Sequence, residues 1–350
     1  MTHALFFLAV GGILLWMMFW GFRTLPREGW QILAAVPWKK DGSGCWKGIN
    51  LTYYGLFTAN ANVFGIGLTF VLLRSLSIPF SAIFPLVVSL LLLCIPASKI
   101  IARIVERKAH GFTIGGASFV GILAAPWVVQ EIEAALGPRI GLEMEGMAVL
   151  AALSIAYAFG EGLGRLACIS FGCCYGKRLR DCHPAVQRLF SRFCFVFSGE
   201  TKKLAYAHGL AGEKLVPIQA LTCLLCTGVG GIGILLFLHG MFVAAFLATM
   251  PTTLGWRIVS EFCRADYRGG GRLSAYQILS AIAFVYSFAL PFVFPVSRSM
   301  LPDVGLGLRA LWSPGMLVFL QLLWLAMFLL TGRSMVTGST LSFHVIRERV

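Results

Sequence analysis

The sequence predicts an all-α integral membrane protein of about nine transmembrane helices. Composition is the first reason: of 350 residues 58% are hydrophobic and 13% charged, with a mean hydropathy of +0.81. Soluble domains are about half apolar and about a quarter charged, so a water-soluble fold has no way to hide this much apolar surface. The second reason is segmentation. Spanning a bilayer takes roughly 20 apolar residues, and the chain offers such stretches at 4–21, 52–73, 79–98, 112–130, 147–170, 216–238, 241–262, 274–296 and 313–332. The third is charge. If the nine stretches cross in turn, one side collects 22–50, 99–111, 177–215, 263–273 and the tail from 333, with 23 of the 29 Lys and Arg residues. The other side holds Arg74, Arg139, Arg298 and Arg309, and Arg165 and Arg257 lie within spans.

The first stretch lacks a positive n-region and a clear small-residue cleavage site, so it reads as a span rather than a signal peptide. The spans that follow are separated by short connections. The longest gap, 177–215, is the one candidate for a folded piece outside the membrane. By the positive-inside rule the basic side is cytoplasmic. The net charge of +14 fits contact with anionic headgroups, and no nucleic-acid motif accompanies it.

Ionisable residues inside spans are costly and point to function. Glu161 and Arg165 are four apart on the fifth span and share a face. Arg257 and Glu261 have the same spacing on the seventh, and Arg264 follows. Each pair can simply neutralise itself. The functional alternative is an anionic ligand held between two helices, since arginine forks onto phosphate and the phosphate at hand in a membrane is a phospholipid headgroup. Around Arg165, glycines at 160, 162, 164, 172 and 176 permit close approach of a backbone or a ligand. Gly172 and Gly176 also suit a helix that breaks into a loop, where freed N–H groups join an anion site.

Ten cysteines form no evident disulfide framework. Cys94, Cys223 and Cys226 fall inside spans and read as small apolar residues. Cys168, Cys173, Cys174, Cys182 and His183 cluster in sequence, and zinc sites use such ligands. Cys173 and Cys174 are adjacent, however, and no C-x2-C spacing occurs there, so the sequence assigns no metal and no cofactor. A disulfide from Cys182 or Cys194 would require an oxidising compartment.

The stretch Gly164-Arg-Leu-Ala-Cys-Ile-Ser-Phe-Gly-Cys-Cys-Tyr-Gly176 resembles the signature of the prolipoprotein diacylglyceryl transferase family, in particular members ending in Gly-Cys-Cys-Tyr-Gly. Other pieces agree in order: Leu51-Thr-Tyr-Tyr-Gly-Leu56, Gly111-Phe-Thr-Ile-Gly-Gly116, Val216-Pro-Ile-Gln219, Gly255-Trp-Arg-Ile-Val-Ser-Glu-Phe-Cys-Arg264 and Ser274-Ala-Tyr-Gln-Ile-Leu-Ser280. The resemblance covers about 51–296. It implies a seven-helix core with head loop 177–215, preceded by an extra span and loop (1–50) and followed by an extra span and tail (297–350).

The family moves a diacylglyceryl group from phosphatidylglycerol to the cysteine thiol of a lipoprotein precursor. The resemblance therefore implies a multi-pass enzyme of the bacterial plasma (inner) membrane, with a phosphatidylglycerol-like lipid and a membrane-anchored lipoprotein precursor peptide as partners. Arg165 and Arg257 match the family's two essential arginines, and Glu261 and Arg264 the acid and arginine that follow. Tyr54, Gly115, Gly116, Gly176 and Gln219 match lipid-pocket positions. The sequence departs from the family at Ile114, Cys168, Cys173, Val216 and Leu221-Thr222, where the family carries polar residues. The proton acceptor is left to His183 or His110, each of which also reads as a surface residue. The family's head loop faces outward, opposite to the positive-inside expectation. Two other readings stay open: a catalytically altered paralogue that binds or moves lipid or another anion, and a transporter for a small anion.

Overall fold

The computed structural model describes residues 2–42, 44–106, 113–141, 143–266, 273–296 and 300–350. In chain order the elements are α1 (Thr2–Thr24), β1 (Ile32–Lys40), β2 (Trp46–Thr52), α2 (Tyr53–Ser75), α3 (Phe80–Glu106), α4 (Ile114–Ile140), α5 (Gly146–Phe171), α6 (Pro184–Phe190), β3 (Phe195–Val196), α7 (Lys203–His208), β4 (Lys214–Leu215), α8 (Ile218–Leu238), α9 (Phe242–Phe262), α10 (Ala275–Val293), α11 (Val304–Leu311), α12 (Pro314–Gly332) and β5 (Arg333–Leu341). Among the described residues eight helices, α2–α5, α8–α10 and α12, are long and apolar enough to cross a membrane. The apolar part of α1 counted with them, Leu8–Thr24, is shorter. The chain is a multi-span, all-α membrane protein, with no large sheet among the described residues.

The most enclosed span is α5, which packs against α2, α8 and α9. Its small residues make this possible: Ala148, Ala151, Ala152, Ala158 and Ala167 are buried, and backbones approach closely where side chains are short. Gly162 lies against α8, where a Cβ would stand 3.1 Å from the Cys223 carbonyl oxygen. At the crossing of α2 and α12 a Cβ on Gly55 would stand 2.1 Å from the Gly332 Cα. α3 and α4 run further than their apolar stretches, to Glu106 and Ile140. The expected ends at 98 and 130 followed hydropathy, whereas helical hydrogen bonding carries on through Lys99, Arg103, Glu131 and Glu133.

Contacts divide the connections between two ends of the bundle, in the alternation expected from sequence. At the basic end Lys177 N donates to Cys263 O (3.0 Å) and Gln31 Nε2 to Thr201 O (2.6 Å). At the other end Asp303 N donates to Ser75 O (2.9 Å) and Met144 N to Glu133 Oε1 (2.9 Å).

The basic end is more ordered than loops and a tail. β1 and β2 form an antiparallel hairpin, and β5 pairs with the other edge of β2, from Trp46↔Leu341 to Leu51↔Arg333. Segments read as an N-terminal loop and a C-terminal tail are thus one sheet. Residues 177–215 fold as well, around Phe195, Phe197, Leu204, Leu210 and Leu215, on a floor of Leu25 and Leu166. Lys202 fastens this head to the bundle. Its fully buried Nζ donates to Leu25 O (3.1 Å) and Ser170 O (2.7 Å), carbonyls near the ends of α1 and α5.

Candidate functional site

The two span arginines meet at one carboxylate. Glu161 of α5 is fully buried; its Oε1 accepts from Arg165 one turn along, and its Oε2 accepts from Arg257 Nη1 of α9 at 3.0 Å. Six residues separate Arg165 from the end of α5, about 9 Å at helical rise. The cluster therefore lies just inside the basic end of the bundle. A second cluster sits above it. Arg264 donates to Asp266 through Nε and Nη2, both at 2.9 Å, and to Glu261 Oε1 at 3.2 Å, and Ser274 Oγ donates to Glu261 Oε2 at 3.4 Å.

These groups line a polar chamber of about 170 Å³ together with Tyr54, Thr113, Ile114, Gly115, Cys168, Phe171, Cys173, Cys174, Lys203 and Ser260. Its charged lining is Arg165, Lys203, Arg257, Arg264, Glu261 and Asp266. With Glu161 counted, one positive charge is in excess. A buried excess of positive charge built from guanidinium groups suits an anion with several oxygens. Tyr54 and Ile114 also line a larger chamber, about 350 Å³, which runs between α2, α3, α4, α5 and α12 and is mainly apolar. Gly160 and Gly164 wall it, and nothing lies within 4 Å of a Cβ built on either.

Of the nine residues matched to the family by sequence, Arg165, Arg257, Glu261, Tyr54, Gly115 and Arg264 line the polar chamber. Gly115 makes room for a guanidinium: a Cβ there would stand 2.7 Å from Arg257 Nη2. The other three are set apart from the chamber. Gly116 packs on Ile101 of α3, and Gly176 lies under the Val216 carbonyl, in a backbone bridge with Arg264. Gln219 donates from Nε2 to Cys173 O (3.0 Å), tying α8 to the loop after α5. The Ser274-x-x-Gln277 piece is a reciprocal helix cap that starts α10.

His183 is exposed and caps α6, and His208 bonds the Tyr175 hydroxyl, so neither reaches the chamber. His110 lies outside the described residues, as do Gly111 and Arg298. Among the described residues the chamber has no histidine, and its acids are both paired with Arg264.

Of the sequence cluster Cys168, Cys173, Cys174, Cys182 and His183, to which spacing assigned no metal, the structure brings together the first three. α5 ends at Gly172, whose φ of +69° turns the chain back so that Cys173 N donates to Cys168 O at 3.0 Å. Cys174 follows at φ +55°, a left-handed conformation that costs a non-glycine residue about 1–2 kcal/mol. The result brings the Sγ atoms of Cys168, Cys173 and Cys174 within 4.8 Å of one another. The neighbouring Cys168 and Cys174 thiols, with burial, push the Cys173 thiol well above its usual range. Cys182 is elsewhere, donating to Arg178 O, and none of the ten cysteines is in a disulfide. Lys203 and Asp266, which complete the charged lining, come from segments with no motif to mark them. Three departures from the family pattern, Ile114, Cys168 and Cys173, fall on the chamber wall itself. Comparison of the chain with protein-family models and with curated proteins finds no match.

Proposed function

We propose that this protein is a phospholipid-dependent transferase of the bacterial inner membrane. It would move a diacylglyceryl group from a phosphatidylglycerol-like donor to the cysteine thiol of a membrane-anchored lipoprotein precursor. The observation that carries the reading is the paired chamber. A polar compartment with arginines at helix-end depth shares Tyr54 and Ile114 with an apolar compartment among the spans. A ligand with an anionic head and apolar chains matches both halves, whereas a small inorganic anion leaves the larger half without a use.

In this reaction the acceptor sulfur attacks a glycerol carbon, the carbon–oxygen bond to phosphate breaks, and glycerol phosphate leaves with the electron pair. Arg165 and Arg257, held in place by Glu161, would stabilise that charge, as preset donors stabilise a leaving anion. Glu161 also keeps the pair from repelling one another before the phosphate arrives. Arg264 holds Glu261 and Asp266 at the rim.

Complementation of a strain depleted of its diacylglyceryl transferase tests the proposal. The wild-type chain rescues growth, while Arg165→Ala and Arg257→Ala do not although they accumulate in the membrane. Absence of rescue by wild-type protein present in the membrane refutes it. That outcome would favour a lipid-binding paralogue without catalysis, the reading to which the absence of a chamber histidine among the described residues lends weight.

A further inference from the structure

The transferase reading leaves one chemical requirement unmet. Thiolate, not thiol, is the nucleophile, and the acids lining the chamber are engaged with Arg264. Something else has to take the acceptor's proton.

The three clustered cysteines supply a route. We propose that Cys168, Cys173 and Cys174 form a three-thiolate site for a zinc-class cation, whose fourth position opens into the arginine-lined chamber and takes the acceptor thiol. The ligand set fits the metal. Zinc binds cysteine sulfur at about 2.3 Å, which sets tetrahedral sulfurs roughly 3.8 Å apart. The three Sγ atoms, within 4.8 Å of one another, need to close by about 1 Å, within reach of side-chain rotation. Three protein ligands with one open position is the arrangement of a catalytic rather than a structural zinc site.

Charge and backbone agree with this. A dication with three thiolates carries one negative charge, and four cationic side chains, Arg165, Lys203, Arg257 and Arg264, line the same chamber. The left-handed helix end at Gly172 and the left-handed Cys174 direct the second and third sulfurs back to the first. Gln219 secures the Cys173 carbonyl from α8, a supporting bond of the kind that keeps a ligand loop in place.

The step balances. The acceptor R–SH gives its proton to solvent on binding the cation, and the bound sulfur attacks the glycerol carbon. A sulfur–carbon bond forms, the carbon–oxygen bond to phosphate breaks, and glycerol phosphate departs with the electrons. The neutral thioether is a weaker ligand and leaves. No oxidant or reductant is required.

The binding claim stands without the transferase reading; the role of the fourth position rests on it. Cobalt(II) titrated into the metal-free full-length protein in lipid nanodiscs separates them. Wild-type protein is expected to bind one cobalt per chain with a near-ultraviolet thiolate-to-cobalt band and a tetrahedral visible spectrum, and to exchange it for zinc. Cys173→Ser and Cys174→Ser should each weaken binding by more than about a hundredfold, with thermal unfolding of each variant checking its fold, and Cys45→Ser in the hairpin should leave binding unchanged. A short peptide with one cysteine should strengthen the thiolate band, and its serine version should not. Wild-type protein that shows no band, a band that survives serine at all three positions, or a disulfide among the three in protein isolated without oxidant overturns the site. A band of this kind in a protein that fails complementation leaves the site standing and refutes the transferase reading. Rescue of growth by the triple serine variant overturns the site's part in transfer and leaves the transferase reading intact.

Discussion

Replacing Glu161 with glutamine removes one charge at a point where α5 and α9 are joined by an ion pair. The carboxylate is fully buried and receives Arg165 on one oxygen and Arg257 on the other. Glutamine keeps one acceptor oxygen and turns an NH2 group toward the second guanidinium. One hydrogen bond to a charged group is lost, about 1.5–3 kcal/mol, and a buried guanidinium is left without its counter-charge. Breaking a buried pair by removing one partner costs about 3–5 kcal/mol in all, roughly a hundred- to several-thousand-fold in the unfolding equilibrium. Reversible unfolding in mixed detergent micelles measures the loss. A cycle with Arg165→Gln isolates the pair, and the double variant should lose clearly less than the two single losses added together. A loss below about 1 kcal/mol for Glu161→Gln would refute the reasoning, because it would mean that water or another anion already relieves the arginines in the wild type.

Other outcomes follow from the chamber and the head. Gly164→Leu should fill the apolar compartment and weaken phosphatidylglycerol binding at least about tenfold, while stability stays equal or rises by up to about 1 kcal/mol as a helix glycine is replaced; undiminished binding of a fluorescent phosphatidylglycerol would refute that use of the compartment. Burial holds the Lys202 ammonium down to about 8 against an ordinary 10.5, with Glu28 opposing the shift. Between those values the unfolded chain binds more protons, so stability should rise as pH climbs through that window and be lower below about 8. Lys202→Met should flatten this rise in a thermal-unfolding series, and an unchanged pH response in that variant would refute it. If the head faces outward, as the family resemblance implies, a reporter fused after residue 200 that works only in the cytoplasm should be inactive; an active one would support the orientation that the basic residues favour.

The spans were legible because hydropathy alone separates 20-residue apolar runs from everything else. Their ends were less so, since the last turns of α3 and α4 carry charges that hydropathy treats as loop. The sheet was hidden for another reason. β5 finds its partner in β2, close to 290 positions earlier, and no local pattern announces a pairing so distant. In the site, Glu161 and Arg165 could be read together because four residues on one helix bring them to one face. That Arg257 would also bond to Glu161 depends on how α5 and α9 pack, which their sequences do not state. The glycines carry the same lesson. Gly160, Gly162 and Gly164 look alike in sequence, yet Gly162 lies tight against α8 while its two neighbours keep a chamber open. The cysteine cluster was visible in the sequence but was assigned no metal, because its spacing is unlike a zinc motif; the approach of the three sulfurs depends on two left-handed residues that only the folded loop reveals.

The position of α12 in the chain bears on biogenesis. Met327, Leu330 and Thr331 wall the apolar chamber, and α12 packs along α2, the first span of the chamber wall to be made. A nascent chain therefore has every arginine of the site in the bilayer while one flank of the chamber still faces free lipid. Arrival of α12 closes that flank, and pairing of β5 with β2 then joins segments close to 290 positions apart. Synthesis of the segment from 313 onward thus acts as a door, and a ribosome that stopped before it would leave behind a bundle with its charges in place and one wall missing.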